Sequence, residues 1–244
     1  MNRKRKKVYI KLNSEKKEFV YTGIEFYEFI KFLLNPIENL IIITGGHYLI
    51  SNESKIERGL ELFNGQQCII NLSKENIYNL GNFCFVDYDR QSKVTDLSEA
   101  EIAELLYLGH MFKPLKSPFF KPIHNRFVYL SHDDGWYCKL YCNDYKDIIS
   151  ILFGKINHAF FKGKRRLRPS SYADLQDALL GLMQEGLLID LDELLYGEDS
   201  SSVKLYSVGE YTDMDTLLNN WEDIKGKSTH IVKLSSRKGE WVMA

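Results

Sequence analysis

Apolar residues in this chain come in short runs of strand length, each closed by a turn signal and interleaved with longer stretches of helical period. Leu40-Ile41-Ile42-Ile43 stops at Thr44-Gly45-Gly46, Phe83-Cys84-Phe85-Val86 runs into Asp87-Tyr88-Asp89, and Phe127 to Leu130 is separated from Trp136 to Tyr141 by Ser131-His132-Asp133-Asp134-Gly135. Runs this short suit buried strands and fall well below the ~20 apolar residues of a membrane-crossing helix. The Asp/Gly turn after Leu130 marks a hairpin, so at least part of the sheet is antiparallel.

The N-terminus gives the same signal. Lys7 to Lys11 and Lys17 to Thr22 alternate polar and apolar residues around Asn13-Ser14-Glu15, the pattern of an amphipathic hairpin. Thr22 and Glu25 form a capping-box pair ahead of a helix over Ile24 to Leu34, stopped by Asn35-Pro36, and Ser98 with Glu101 marks a second helix. The spacing further predicts a short helix over 55–63 and a strand over Cys68 to Leu72. A helix from Asn143 or Asp144 to Phe153 is expected to close at Gly154, and another from Ser171 to close at Gly186. A turn or short helix follows at Asp190-Leu191-Asp192-Glu193, then a strand near Val203 to Val208, a helix from Asp213 to Trp221, and strands near His230 to Leu234 and Trp241 to Met243.

The fold class that follows is α+β: a mixed, largely antiparallel sheet packed by several helices. Lys162, Lys164, Arg165, Arg166 and Arg168 followed by Pro169-Ser170-Ser171 shift the composition sharply. A boundary is expected there, giving an α+β core domain over 1–160 and a smaller C-terminal α/β module over 161–244.

Charge narrows the functional classes. The 32 basic and 33 acidic residues leave a formal net charge of −1, so contact with nucleic acid has to be local, and no membrane partner is expected. The start, MNRKRKKVYIKLN, goes straight into strand alternation without the apolar run of a signal peptide. Cys68, Cys84, Cys138 and Cys142 sit among apolar neighbours, as reduced core thiols do. Cys138 and Cys142, four apart on a strand, stand roughly 13 Å from each other and cannot share a zinc ion. A soluble cytoplasmic protein is expected.

Three constellations carry chemistry. Asp87 and Asp89 share one side at a strand end, and His132, Asp133 and Asp134 sit at a hairpin tip. Were the two to meet, Asp87, Asp89 and Asp134 would be ligands for Mg²⁺ or Mn²⁺, and His132 with Asp133 would do acid–base work on a phosphodiester. The structural alternative is that Asp gathers at strand ends because its side chain satisfies turn backbone. Thr44-Gly45-Gly46-His47 follows a buried strand but lacks the Lys-Ser/Thr of a phosphate-binding loop, and a hairpin turn accounts for it. The basic residues Lys162, Lys164, Arg165, Arg166 and Arg168, with Phe160 and Phe161 beside them, would neutralise phosphates and stack on bases, or would dock on the acidic stretch from Glu185 to Asp199.

With no catalytic motif, and with 15 tyrosines and 14 phenylalanines that favour interfaces, the leading reading is a non-enzymatic protein-interaction or regulatory module of inhibitor, immunity or adaptor type, with a protein partner and no cofactor. A metal-dependent enzyme acting on nucleic acid or nucleotides is the second reading, and a nucleic-acid binder the third.

Overall fold

In a computed structural model of the chain, residues 6–44, 54–74, 83–89, 94–108, 121–132, 137–161, 172–196, 200–237 and 240–244 are described. Among them are thirteen strands and seven α-helices, and every pairing with an assigned register is antiparallel. The α+β class with an antiparallel sheet is therefore the observed one.

By internal contacts the chain divides into two compact units, one of 1–14, 20–34 and 145–244 and one of 15–19 and 35–144. Neither is the 1–160 or the 161–244 span. The first unit holds β1 (Lys7–Asn13) and, from Val20 on, β2 (Glu18–Thr22) of the N-terminal hairpin. The C-terminal strands join that hairpin: β9 (Leu187–Asp190) pairs with β1 in the register Tyr9↔Leu188, β11 (Ser200–Ser207) pairs with β9, and β12 (His230–Arg237) and β13 (Glu240–Met243) extend the row. β10 (Leu195–Tyr196) adds to β11 beside β9. Long-range strand pairing here overrides the local shift in composition.

One face of this row carries Val203, Leu205, Leu234 and Trp241, all buried, under α4 (Tyr145–Phe161) and α5 (Gln176–Glu185). Phe153 of α4 meets the Trp241 ring at 5.4 Å and stacks on Tyr172 at 4.3 Å, and Phe160 meets Trp241 at 5.6 Å. α4 also buries Ile148, Ile149, Ile151, Leu152 and Ile156, each contributing about 1.5–3 kcal/mol in area terms.

α4 runs on through Gly154 instead of ending there. A Cβ at position 154 would lie 2.3 Å from Cγ of Phe32, so this glycine is present for the close approach of α1 (Phe26–Phe32) and not as a helix stop. Beside it Lys155, buried, holds both carboxylate oxygens of Glu28 at 2.6 Å. The cap of α1 is also displaced from Thr22: Glu25 is the N-cap, in a capping box with Glu28. Gly186 does end α5, at φ +87°, with its α-carbon against the Gly209 carbonyl.

The second unit orders β8 (Tyr137–Cys142), β7 (Phe127–His132), β6 (Phe83–Tyr88), β3 (Asn39–Thr44), β5 (Leu60–Asn64) and β4 (Lys55–Glu57). The span expected as a helix, 55–63, is the β4–β5 hairpin. Arg58 and Gly59 both take positive φ, 52° and 82°, as the two central residues of a tight turn. The span expected as a strand, Cys68 to Leu72, lies in α2 (Gln66–Lys74), where Ile69, Leu72 and Ser73 bury one helical stripe. α3 (Glu99–Leu108) starts at the Ser98/Glu101 capping box and lays Ile102, Leu105 and Leu108 on Ile41, Cys84, Val86, Val128 and Leu130. All four cysteines are free thiols, and Cys138 and Cys142 lie on one strand. No helix among the described residues is long and apolar enough to cross a membrane.

Candidate functional site

Asp87 and His132 lie apart. β6 and β7 pair antiparallel with Phe83↔Ser131 and Val86↔Val128, so Asp87 stands beside Phe127 at one end of the pair and His132 stands beyond Ser131 at the other. The five steps along the six residues from Phe127 to His132 span about 17 Å of strand. The faces differ as well: Asp87 shares its side with Phe85 and Phe83, opposite Tyr129 and Ser131, and His132 points to the other side. Asp133, Asp134 and the basic residues Lys162, Lys164, Arg165, Arg166 and Arg168 lie outside the described residues, as does the Gly45-Gly46-His47 turn. Among the described residues no three His, Cys, Asp or Glu side chains form a group able to hold a metal ion.

Asp87 has a structural occupation instead. It is 4% exposed, and its Oδ1 accepts the backbone N–H groups of Arg126 and Phe127, both at 2.9 Å. Its Oδ2 accepts Nε of Arg126 at 3.1 Å, and the same guanidinium donates to the Asn35 carbonyl at 3.1 Å. The carboxylate thus fixes the entry of β7 against the exit of β6. Burial pushes its pKa up to about 6, opposed by the Phe127 N–H and the Arg126 charge. Asp89 is half in solvent, 3.2 Å from Nδ1 of an exposed His124. His132 stacks flat on Tyr137, with ring centroids 4.6 Å apart.

Two features of the first unit were not singled out from sequence. One is a charged network around Asp190, which accepts Nε1 of Trp221 at 3.2 Å and Nζ of Lys225 at 3.4 Å. Lys225 lies 2.6 Å from Glu193, whose other oxygen accepts the Tyr206 hydroxyl at 2.5 Å. Burial, then Glu193, pushes the Tyr206 phenol upward. Both Trp221 and Lys225 belong to α7 (Trp221–Gly226), which follows α6 (Met214–Asn219) and is held by this network at Asp190 and over the Tyr206 ring.

The other feature is the part of the Tyr206 face of the sheet lying outside α7. Registers place Leu195, Ser202, Ser235 and Val242 in one row across β10, β11, β12 and β13, with Lys204 opposite Lys233 in the next row and Tyr206 opposite Ile231 in the third. Leu195 is 61% exposed, Ile231 57% and Val242 53%, and both lysines are exposed. The signal in the sequence was alternation in HIVKLSSR: Val232, Leu234 and Ser236 form one side, and Ile231, Lys233 and Ser235 form the other. An isoleucine on the lysine side is the mark of an apolar residue on a wet face.

Compared with known proteins, the chain matches no family model, no curated protein and no solved structure.

Proposed function

We propose that this protein is a non-enzymatic interaction module, of inhibitor, immunity or adaptor type, that binds another protein through its first unit. The observation that carries the reading is the outer face of β10–β13, where Leu195, Ile231 and Val242 are each more than half exposed on regular strands. Scattered apolar residues on a surface need no explanation, but three on one face of a sheet, around Ser202, Ser235, Lys204 and Lys233, give that face a mixed apolar and basic character suited to a protein partner. The occupied carboxylate of Asp87 supports the same reading, because a group that accepts three protein hydrogen bonds is committed to the fold.

The test uses a tagged copy in the cells that naturally express the chain, followed by reconstitution of any recovered complex from purified components. A defined complex of the full chain with a second protein, together with no Mn²⁺- or Mg²⁺-dependent hydrolysis of nucleotides or oligonucleotides, is the expected result. Metal-dependent hydrolysis lost in Asp87→Asn would replace this reading with the enzymatic one.

A further inference from the structure

We propose that the outer face of β10–β13 binds an acidic protein segment, with Lys204 and Lys233 receiving its carboxylates and Leu195, Ile231 and Val242 receiving the apolar residues around them. This rests on the interaction-module reading and names the partner's chemistry.

The geometry supplies the recognition pattern. Lys204 and Lys233 are directly opposed across β11 and β12, an arrangement that is unfavourable for two like charges on a sheet. Among the described residues neither lysine forms an ion pair. Glu193 feels the charge of Lys204 but is already held by Lys225 and Tyr206. A carboxylate placed between the two ammonium groups would remove their repulsion. Leu195 and Val242 lie one row to one side of the lysines and Ile231 one row to the other. With rows about 7 Å apart and strands about 4.8 Å apart, the face is roughly 14 Å on each side. An extended segment with alternating acidic and aliphatic residues spans that distance in a few residues.

Two other occupants fit worse. A second copy docked by two-fold symmetry would set the lysine pair against itself. A nucleic acid would meet aliphatic side chains where base stacking wants aromatic ones.

The probe is a phage-displayed library of random 16-residue peptides, selected on the full-length protein, with the best sequence then made synthetically. Expected are peptides carrying Asp or Glu flanked by aliphatic residues. Their affinity should fall about tenfold or more in Lys204→Glu/Lys233→Glu, fall similarly in Ile231→Thr/Val242→Thr, and weaken as salt is raised. Replacing the peptide's acids by lysine should restore binding to the double charge reversal, a gain that an unfolded variant cannot give. Peptides that bind wild type and all variants equally would move the interaction to another surface and overturn the proposal while leaving the module reading intact. Failure to select any peptide, with no protein complex recovered from cells, would sink both. Binding of a mixed-sequence 20-nucleotide DNA or RNA that is lost in the lysine variants would assign the face to nucleic acid. A dimer in light scattering that Ile231→Thr abolishes would assign it to a second copy. Either result overturns the proposal.

Discussion

Replacing Arg126 by methionine should destabilise the protein by an amount that depends on pH, because the guanidinium answers a buried carboxylate. Asp87 is 4% exposed, and Arg126 gives it one backbone and one side-chain hydrogen bond. The methionine keeps the backbone bond and most of the apolar stem. What goes is the charge-assisted hydrogen bond to Asp87, worth about 1.5–3 kcal/mol, an exposed one to the Asn35 carbonyl, and the compensation of a buried charge. The Arg126 side chain is 32% exposed, so solvent moderates the loss, and about 2–3 kcal/mol is expected at pH 8.

The sign with pH follows from the pKa of Asp87, raised to about 6 from 3.8 by burial. An acid with a raised folded pKa favours the native state at low pH and loses that contribution as pH rises from about 4 to about 6. In wild type this amounts to about 3 kcal/mol for Asp87 alone. In the variant the folded pKa rises further, so below pH 6 both proteins hold the neutral acid and differ by only about 1 kcal/mol. Above pH 6 the gap widens. Urea denaturation at pH 5, 6, 7 and 8, followed by circular dichroism, reads this directly. A difference between variant and wild type that stays constant from pH 5 to pH 8, or that shrinks as pH rises, would refute the account of Asp87 as a buried ion relieved by Arg126.

Gly154→Ala should lower the melting temperature although alanine is the better helix former by about 1 kcal/mol, because its Cβ would lie 2.3 Å from Cγ of Phe32; Phe32→Ala, which removes the Cγ and Cδ1 atoms in the way, should cost less in that variant than in the wild type. Lys155→Met should cost about 2–3 kcal/mol in chemical denaturation by leaving the partly buried Glu28 carboxylate with only its Glu25 N–H, and adding Glu28→Gln should recover part of that cost. All four thiols should react with Ellman's reagent after denaturation without reductant, and two or fewer reacting would show a disulfide.

Much of the fold was legible because alternation and caps are local signals. The opening hairpin, the β7–β8 pair, the Ser98 cap, the Gly186 stop and the strands β11, β12 and β13 all follow from short windows of sequence. Errors fell where one residue type serves two purposes. Gly154 reads as a stop because glycine usually ends helices, yet the structure uses it to let Phe32 approach. Gly59 makes a tight turn only together with the positive φ of Arg58, which nothing in an arginine announces. The acidic pair Asp87/Asp89 and His132 were correctly placed at strand ends. No single sequence states that β6 and β7 are neighbours. Once they are, antiparallel pairing sends the two C-terminal ends in opposite directions and sets Asp87 and His132 at opposite ends of the pair.

The outer face of β10–β13 is distinguished from the rest of the surface by what it costs the fold. The strands are held by their inner side, where Val203, Leu205, Leu234 and Trp241 are buried against α4 and its neighbours. Leu195, Ile231 and Val242 contribute little to that burial, and polar β-branched residues in their places would hold the strands as well. The facing lysines oppose sheet formation by up to about 1 kcal/mol. A surface selected only to fold and stay dissolved would keep neither feature. A partner that brings carboxylates to Lys204 and Lys233 and apolar side chains to the residues around them would turn both costs into binding energy, which is why the charge reversal with its compensating peptide is the decisive experiment.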